Sequence, residues 1–554
     1  MRRILMPFIL AFLLPAIALG AEVSTEDDSL GTNFYKLKKR WLGPVHQRKL
    51  AGATNNASGC RMAYVTAVDD KFAVVVDGDV GPEFDAIGNG SPIFSTNGKH
   101  VAYSSRKGTG WTVVVDGKAG PEYDDIMAGS PKLSPSGLRC AYAARKGQKW
   151  LVVVDGIPGP EFDAIMAGSP VLSADDKHVA YAARQGEKWL VMLDGEAGPE
   201  FDAIMDGTPI ISAAGGRVAY GARNGNAWVV VADGKPGPEF DGIAADPGDP
   251  HGSLRLSADG AHVAYAAGKG GKHLVVLDGQ PGPAYDAIAE GDPIFAPAGG
   301  RYAYRAQSGG RWEWVIDGVP LAGYESVGGD GAIAFSADGE RLAVIALKGG
   351  KSVVVLDGKP GSEFDSIMPG GMRFSPDGSR FAYAAERAGK WVMVADGQPG
   401  PPFDGVMESG PQFSPNGRRL AYVAEKAGKW HTIVDGQPGP AYDAIQIGGV
   451  FFSPDGSRVG YVAGKLGNQY AVIDGKPGPG PDVYGIRGGS LIFSPDSKHC
   501  IYVCSKLGKH WTVIDGDYLA WDLVIPNPIF RQDSSVEFLA ALRGKLYRVN
   551  LLPK

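Results

Sequence analysis

The feature that most constrains this chain is a phrase. VVVDGKAGPEYDDI at residues 113–126 returns as VVVDGIPGPEFDAI at 152–165, VMLDGEAGPEFDAI at 191–204 and TIVDGQPGPAYDAI at 432–445. Its Asp-Gly pair occurs at Asp77, Asp116, Asp155, Asp194, Asp233, Asp278, Asp317, Asp357, Asp396, Asp435, Asp474 and Asp515. The spacing is 39 residues except for steps of 45 (Asp233 to Asp278), 40 (Asp317 to Asp357) and 41 (Asp474 to Asp515). A period this regular implies a repeat architecture rather than one ordinary core, which a chain of 554 residues exceeds in any case.

Each unit contains short apolar runs bracketed by Gly and Pro. In residues 131–165 these are PKLS, CAYAA, WLVVVD and EFDAI, separated by SPSG, RKGQK and GIPGP. Runs this short favour strands over helices, and Asp-Gly suits a hairpin turn because Gly accepts positive φ. The unit therefore reads as a four-stranded antiparallel meander. Its third strand is continuously apolar, so both faces need cover, and sheets stacked face to face provide it. Four-stranded units of about 40 residues that stack this way are β-propeller blades. A parallel β-helix is the rival, but its coils are shorter and lack paired hairpin turns.

The turn between the first two strands carries a resemblance. FSPDGSRFAYAA at 374–385, FSPNGRRLAYVA at 413–424, FSPDGSRVGYVA at 452–463 and FSPDSKHCIYVC at 493–504 resemble the WD-like propeller repeats of the TolB family. The resemblance extends over almost the whole chain by repetition and implies a propeller scaffold. The repeating Gly-His and Trp-Asp signature of eukaryotic WD repeats is missing, Trp-Asp occurring only at Trp521-Asp522, as is the kelch double-glycine signature, and the DGKPGPEFD connection is an addition to the TolB phrase.

The expected fold is all-β: tandem β-propellers built from about 12–13 four-stranded antiparallel blades of about 39 residues. The rhythm is interrupted at ADPGDPHGS, 245–253, and at DGVPLAGYESVGGDG, 317–331, after which the turn wording changes to FSADG, FSPDG and FSPNG. The expected division is a signal peptide at 1–20, an N-terminal segment at 21–59, a first propeller of about seven blades at 60–327 and a second of about six at 328–554. A split near residue 248 and a single large ring remain alternatives.

Residues 1–20 have the pattern of a cleaved secretory signal: Arg2 and Arg3, an apolar run, then Ala18-Leu19-Gly20. Losing those two arginines takes the formal net charge from −6 to −8. A mildly acidic chain without a basic block is a poor nucleic-acid partner, and no later apolar run has the length of a membrane span. The expected location is periplasmic or secreted. Of the cysteines, Cys60, Cys140, Cys500 and Cys504, the last two lie too far apart along one strand for a direct bridge, and four cysteines allow three full pairings.

Trp111, Trp150, Trp189, Trp228, Trp312, Trp391 and Trp430 each stand five residues before the repeated Asp. They read as wedges between blades, or as a ring of indoles able to stack on a ligand. The preceding loops are basic, with Lys146, Lys188, Lys390 and Lys429 as candidate rim contacts. Asp85, Asp124, Asp163, Asp202, Asp241, Asp286, Asp365, Asp404 and Asp443 follow an aromatic in successive units. Equivalent carboxylates spread through an array do not converge as catalysis requires, so turn and backbone hydrogen bonding is their expected role. No metal-spaced His pair, Gly-x-Ser-x-Gly elbow or phosphate-binding loop occurs. No catalytic residue, metal or cofactor is therefore assigned. The expectation is an exported, non-catalytic propeller serving as a protein-interaction platform in the cell envelope. The alternative is a glycan-binding protein or polysaccharide-degrading enzyme, with Asp246, Asp249 and His251 of the insertion as the place to look.

Overall fold

The computed structural model describes residues 35–44, 51–55 and 61–553, apart from 69, 78, 214, 245–251, 329–330, 479–484, 507 and 544. The signal segment, Cys60 and the acidic part of the insertion lie outside the described residues. The protein is all-β. Among the described residues, thirteen antiparallel sheets of four or five strands follow one another along the chain, and no helix occurs.

The sheet that begins at Asp125 shows how sequence sets the local structure. Its second strand, Cys140–Lys146, pairs with the third, Lys149–Val154, which pairs with the fourth, Ile157–Phe162. The turn between the third and fourth strands places Asp155 and Gly156 at φ 54° and 82°. Two successive positive φ values define the hairpin turn for which Asp-Gly is suited. Leu151, Val152 and Val153 are all buried, as their unbroken apolar run requires. Alanines at 141, 143 and 144 have no exposed surface, and their small size lets neighbouring sheets approach.

The structure corrects the frame of the repeat. EFDAI reads as one strand, but it belongs to two sheets. Phe162 faces Trp150 in its own sheet, whereas Ala164 and Ile165 pair with Arg184 and Ala183 of the next. The chain bends at Asp163, between them. Most first strands are consequently split: Ala164–Ile165 and Val171–Leu172 both pair with Val179–Gln185, whereas Ala444–Phe452 and Leu523–Phe530 run unbroken with a register shift. A blade runs from one such bend to the next.

Consecutive blades stack through shared apolar clusters. One combines Val152 and Phe162 with Ile165, Tyr181, Ala183 and Leu190 of the following blade. Around Val327 the stack continues: Ala303 and Trp314 share a cluster with Val344, Val355 and Phe364, and Arg301 Nη1 donates to the Glu340 carbonyl at 2.8 Å. Val327 itself pairs with Ala346 in the sheet that continues to Phe364. The last sheet, formed by Leu523–Phe530, Val536–Leu542 and Lys545–Pro553, is completed by the chain's own N-terminal strand, Tyr35–Pro44, paired to Lys545–Pro553.

Candidate functional site: the seams between blades

The repeated polar residues converge on the seams, where three layers of contact recur. At one end lies the turn that the sequence writes as FSPDG. Ser375 Oγ donates to Asp377 Oδ1 at 2.5 Å and accepts the Arg380 N–H at 2.9 Å, while Gly378, at φ 68°, donates to the Ser375 carbonyl. The neighbouring turns nest: a Cβ on Gly378 would lie 3.3 Å from Asp338 Oδ2 of the preceding blade. The serine bond and two lysine contacts hold the related Asp175 carboxyl down to about 2.

Beside that turn, the Asp of each Asp-Gly pair holds an arginine or a histidine. Asp155 Oδ1 accepts the Cys140 N–H at 2.8 Å and Oδ2 accepts Arg139 Nε at 2.6 Å. Arg139 Nη1 then reaches across the seam to the Asp176 carbonyl at 3.0 Å. Arg61, Arg341, Arg419 and Arg458 repeat the same bridge. His100, His178, His262 and His499 stand in this place in four blades, each with Nδ1 at 2.5–2.7 Å from its Asp.

In the middle of the seam, an aromatic at the end of one blade meets the tyrosine of the next. Phe162 and Tyr181 lie edge to face, with centroids 6.2 Å apart at 74°, and Phe84–Tyr103, Phe201–Tyr220, Phe240–Tyr265, Phe364–Tyr383 and Phe403–Tyr422 repeat it. Such pairs add about 0.5–1.5 kcal/mol beyond their burial. The Gly of the PGP sequence makes this possible. A Cβ on Gly159 would fall 3.1 Å from the Val152 carbonyl and 3.5 Å from the Tyr181 hydroxyl.

At the far end, the Asp at the bend is a clasp. Asp163 Oδ1 accepts Lys149 Nζ of its own blade at 2.5 Å, and Oδ2 accepts the Gly186 N–H of the next blade's hairpin at 2.7 Å. Asp202, Asp286, Asp404 and Asp443 do the same with their own lysine and the following hairpin. Asp85 and Asp365 repeat it. Where Gly110 and Ala227 replace the lysine, Asp124 and Asp241 keep only the hairpin bond. The lysine hydrogen bond is the main cause that holds the carboxyls of Asp85, Asp163, Asp202, Asp286, Asp365, Asp404 and Asp443 below the usual range.

The expected site residues fall into this frame. Lys188, Lys390 and Lys429 lie 2.6, 2.5 and 2.6 Å from their clasp carboxylates, whereas Lys146 is 71 % exposed with Glu161 at 4.0 Å. The seven tryptophans are half-buried, one per blade, and are not brought together. Trp150, Trp189, Trp391 and Trp430 pack against seam clusters. Arg106, Arg184 and Arg223 lie 5.8–5.9 Å over Trp111, Trp189 and Trp228. Trp312 lies opposite Gln307 in its strand pair.

Chemically, this is a set of committed groups. A carboxyl held below its usual range is a poor proton donor at neutral pH. The buried Cys140, Cys500 and Cys504 are free thiols pushed up by burial to about 12, 11 and 11, so they remain protonated there. No group of three or more potential metal ligands occurs among the described residues. Sequence reading misses the clasp, although its signal is present: a Lys stands six residues before the Asp of the Asp-Gly pair in every unit whose bend Asp holds two partners, at Lys71, Lys149, Lys188, Lys272, Lys351, Lys390 and Lys429.

Fold and seams together define an all-β repeat protein with propeller-type blades. No known protein family and no curated protein matches the chain. Among solved structures, it is similar to the β-propeller domain of the Trilobed protease from Pyrococcus furiosus, with 15% identity over 49% of this chain and 97% of that one and a TM-score of 0.24. It is also similar to TolB from Acinetobacter baumannii, with 14% identity over 54% and 78% of the two chains and a TM-score of 0.21. For the tricorn protease the figures are 12% identity, 91% and 61% coverage, and a TM-score of 0.23.

Proposed function

We propose that this is an exported, non-catalytic interaction platform whose partner is another protein of the cell envelope. The observation that carries the reading is where the exposed large apolar residues lie. Four of the six among the described residues, Val80, Ile157, Val319 and Tyr518 at 61–72 % exposure, sit just after the Asp-Gly turn, at the start of a fourth strand. The charged side chains at the Asp-Gly turns and at the bends are engaged in the seams, and these positions offer apolar contact area that the stack leaves uncovered. Export is supported by the signal-like pattern of residues 1–20.

The test is affinity capture from a native envelope extract with protein beginning at Ala21, compared with a Val80→Asp/Ile157→Asp/Val319→Asp variant. A specific protein retained by the first and lost by the second, with folding unchanged, supports the reading. A partner retained equally by both would refute this surface, and recovery of polysaccharide alone would replace the protein partner with a glycan.

A further inference from the structure

The fourth strand is the open edge of every blade, and nearly every copy is guarded. Val80-Gly81-Pro82, Pro158-Gly159-Pro160, Pro399-Gly400-Pro401 and their counterparts place Pro and Gly in it, and the ladder skips a residue at Leu151/Val153 and Val392/Val394. Proline, irregular pairing and edge lysines all prevent a further strand from adding. The N-terminal strand at the edge of the last sheet has Lys36, Lys38, Lys39 and Arg40 in its sequence.

One edge has none of these guards. Asp517–Trp521, DYLAW, contains no Gly, Pro, Lys or Arg and pairs with its neighbour over five consecutive residues without a break, from Ile514↔Asp517 to His510↔Trp521. It ends its sheet, and Tyr518 is 61 % exposed. Its two-residue turn, Asp515-Gly516, makes Ile514↔Asp517 a hydrogen-bonded pair, so alternation turns the N–H and C=O groups of Asp517, Leu519 and Trp521 inward. Those of Tyr518 and Ala520 point outward. Their side chains share the exposed face, while Leu519 and Trp521 pack into the cluster with Phe538.

We propose that this edge is a self-association site whose occupant is the same strand of a second copy, antiparallel about a two-fold axis through Leu519. In that register, Tyr518 faces Ala520 of the other copy, so outward groups meet outward groups and four backbone hydrogen bonds form. A large exposed side chain lies against a small one. Asp517 lies opposite Trp521 and Asp522 opposite Gly516, so no like charges meet. The edge thus complements itself in hydrogen bonding, shape and charge, as a two-fold interface must. Tyr518 is shared with the surface offered to the envelope partner, so self-association is followed on the purified chain alone, where failure of one reading leaves the other standing.

A five-residue pairing falls below the size of standard stable interfaces, so association is concentration-dependent and is to be followed over about 1–500 µM. Sedimentation velocity on the full mature chain is the experiment, with Ala520→Pro and Tyr518→Lys alongside. Ala520→Pro removes an outward donor and leaves the inward ladder bonds in place. A wild-type monomer–dimer equilibrium that both variants shift at least tenfold toward monomer, with unchanged melting, supports the proposal. A wild type that stays monomeric throughout, or a dimer that persists in both variants, would overturn it. If Ala520→Pro melts lower, Tyr518→Lys alone decides.

Discussion

The blade that begins at Ala287 exchanges a common arrangement for a rare one, and a double-mutant cycle can weigh the exchange. In other blades a buried serine, Ser130, Ser169 or Ser253, accepts the N–H of Ala143, Ala182 or Ala266 at 3.3, 3.2 and 3.0 Å. Here Asp292 and Arg305 occupy those places. Asp292 Oδ2 accepts the Arg305 N–H at 2.5 Å and Arg305 Nε at 3.3 Å, with side-chain exposures of 0% and 13%. Arg305→Ala removes the guanidinium that faces a buried carboxylate, at a cost of about 3–5 kcal/mol. Asp292→Ser removes the anion and leaves a partly exposed guanidinium 5.8 Å from the Trp314 ring, costing about 1–3 kcal/mol. The double variant restores the Ser/Ala arrangement and loses only the contact of the arginine stem with Trp314, about 1 kcal/mol. It should therefore be more stable than Arg305→Ala by at least about 2 kcal/mol, or roughly 30-fold in the local opening constant. Stacked repeats open locally, so the assay is native-state hydrogen exchange on peptides containing Tyr302–Ser308 and Arg311–Ile316. A double variant no more protected than Arg305→Ala would refute the pair as an energetic unit.

Gly159→Ala should destabilise by about 1–3 kcal/mol through the contacts with the Val152 carbonyl and Tyr181 hydroxyl, whereas Gly405→Ala, whose nearest neighbour is the end of the flexible Glu425 side chain, should cost less; hydrogen exchange across the two seams distinguishes them. The clasp carboxyls have folded pKa values below their unfolded ones, so their stabilisation is complete above about pH 4 and is lost as pH falls through the folded values. Thermal melts should be flat from about pH 5 upward on this account and fall below about pH 4, and melting that declines equally at pH 6 would contradict it. Deleting residues 21–44 strips the partner from Lys545–Pro553, and the amides of that strand should lose protection while those of Cys140–Lys146 keep theirs.

Strand number and turn type were legible because they follow from local chemistry: Asp155-Gly156 can take two positive φ values, and Leu151 to Val153 have no polar face. The blade frame was not legible, because Phe162, Ala164 and Ile165 are all compatible with one strand and only the partner of Ala164 in the next sheet reveals the bend. The turn and backbone role expected for Asp163 was readable in kind, since one of its oxygens accepts the Gly186 N–H. That the N–H belongs to the next blade was not readable, as no residue within the unit marks it. The tryptophans read as wedges or as a ring of indoles, and Trp150 packs against the cluster that holds Phe162 and Tyr181. The unguarded edge at Asp517–Trp521 could have been found by asking which fourth strand lacks Pro and Gly.

The join between the two ends of the chain has a mechanical consequence. Tyr35 pairs with Pro553 and Pro44 with Lys545, so the extremities of the described chain lie side by side at one end of a single ladder. A load that draws those extremities apart acts across the ladder rather than along it, and peels Tyr35↔Pro553 first and Pro44↔Lys545 last. Hydrogen bonds then break in sequence instead of sharing the force. Under tension this strand pair is a zipper, and it should yield before blades whose strands lie away from the points of pull.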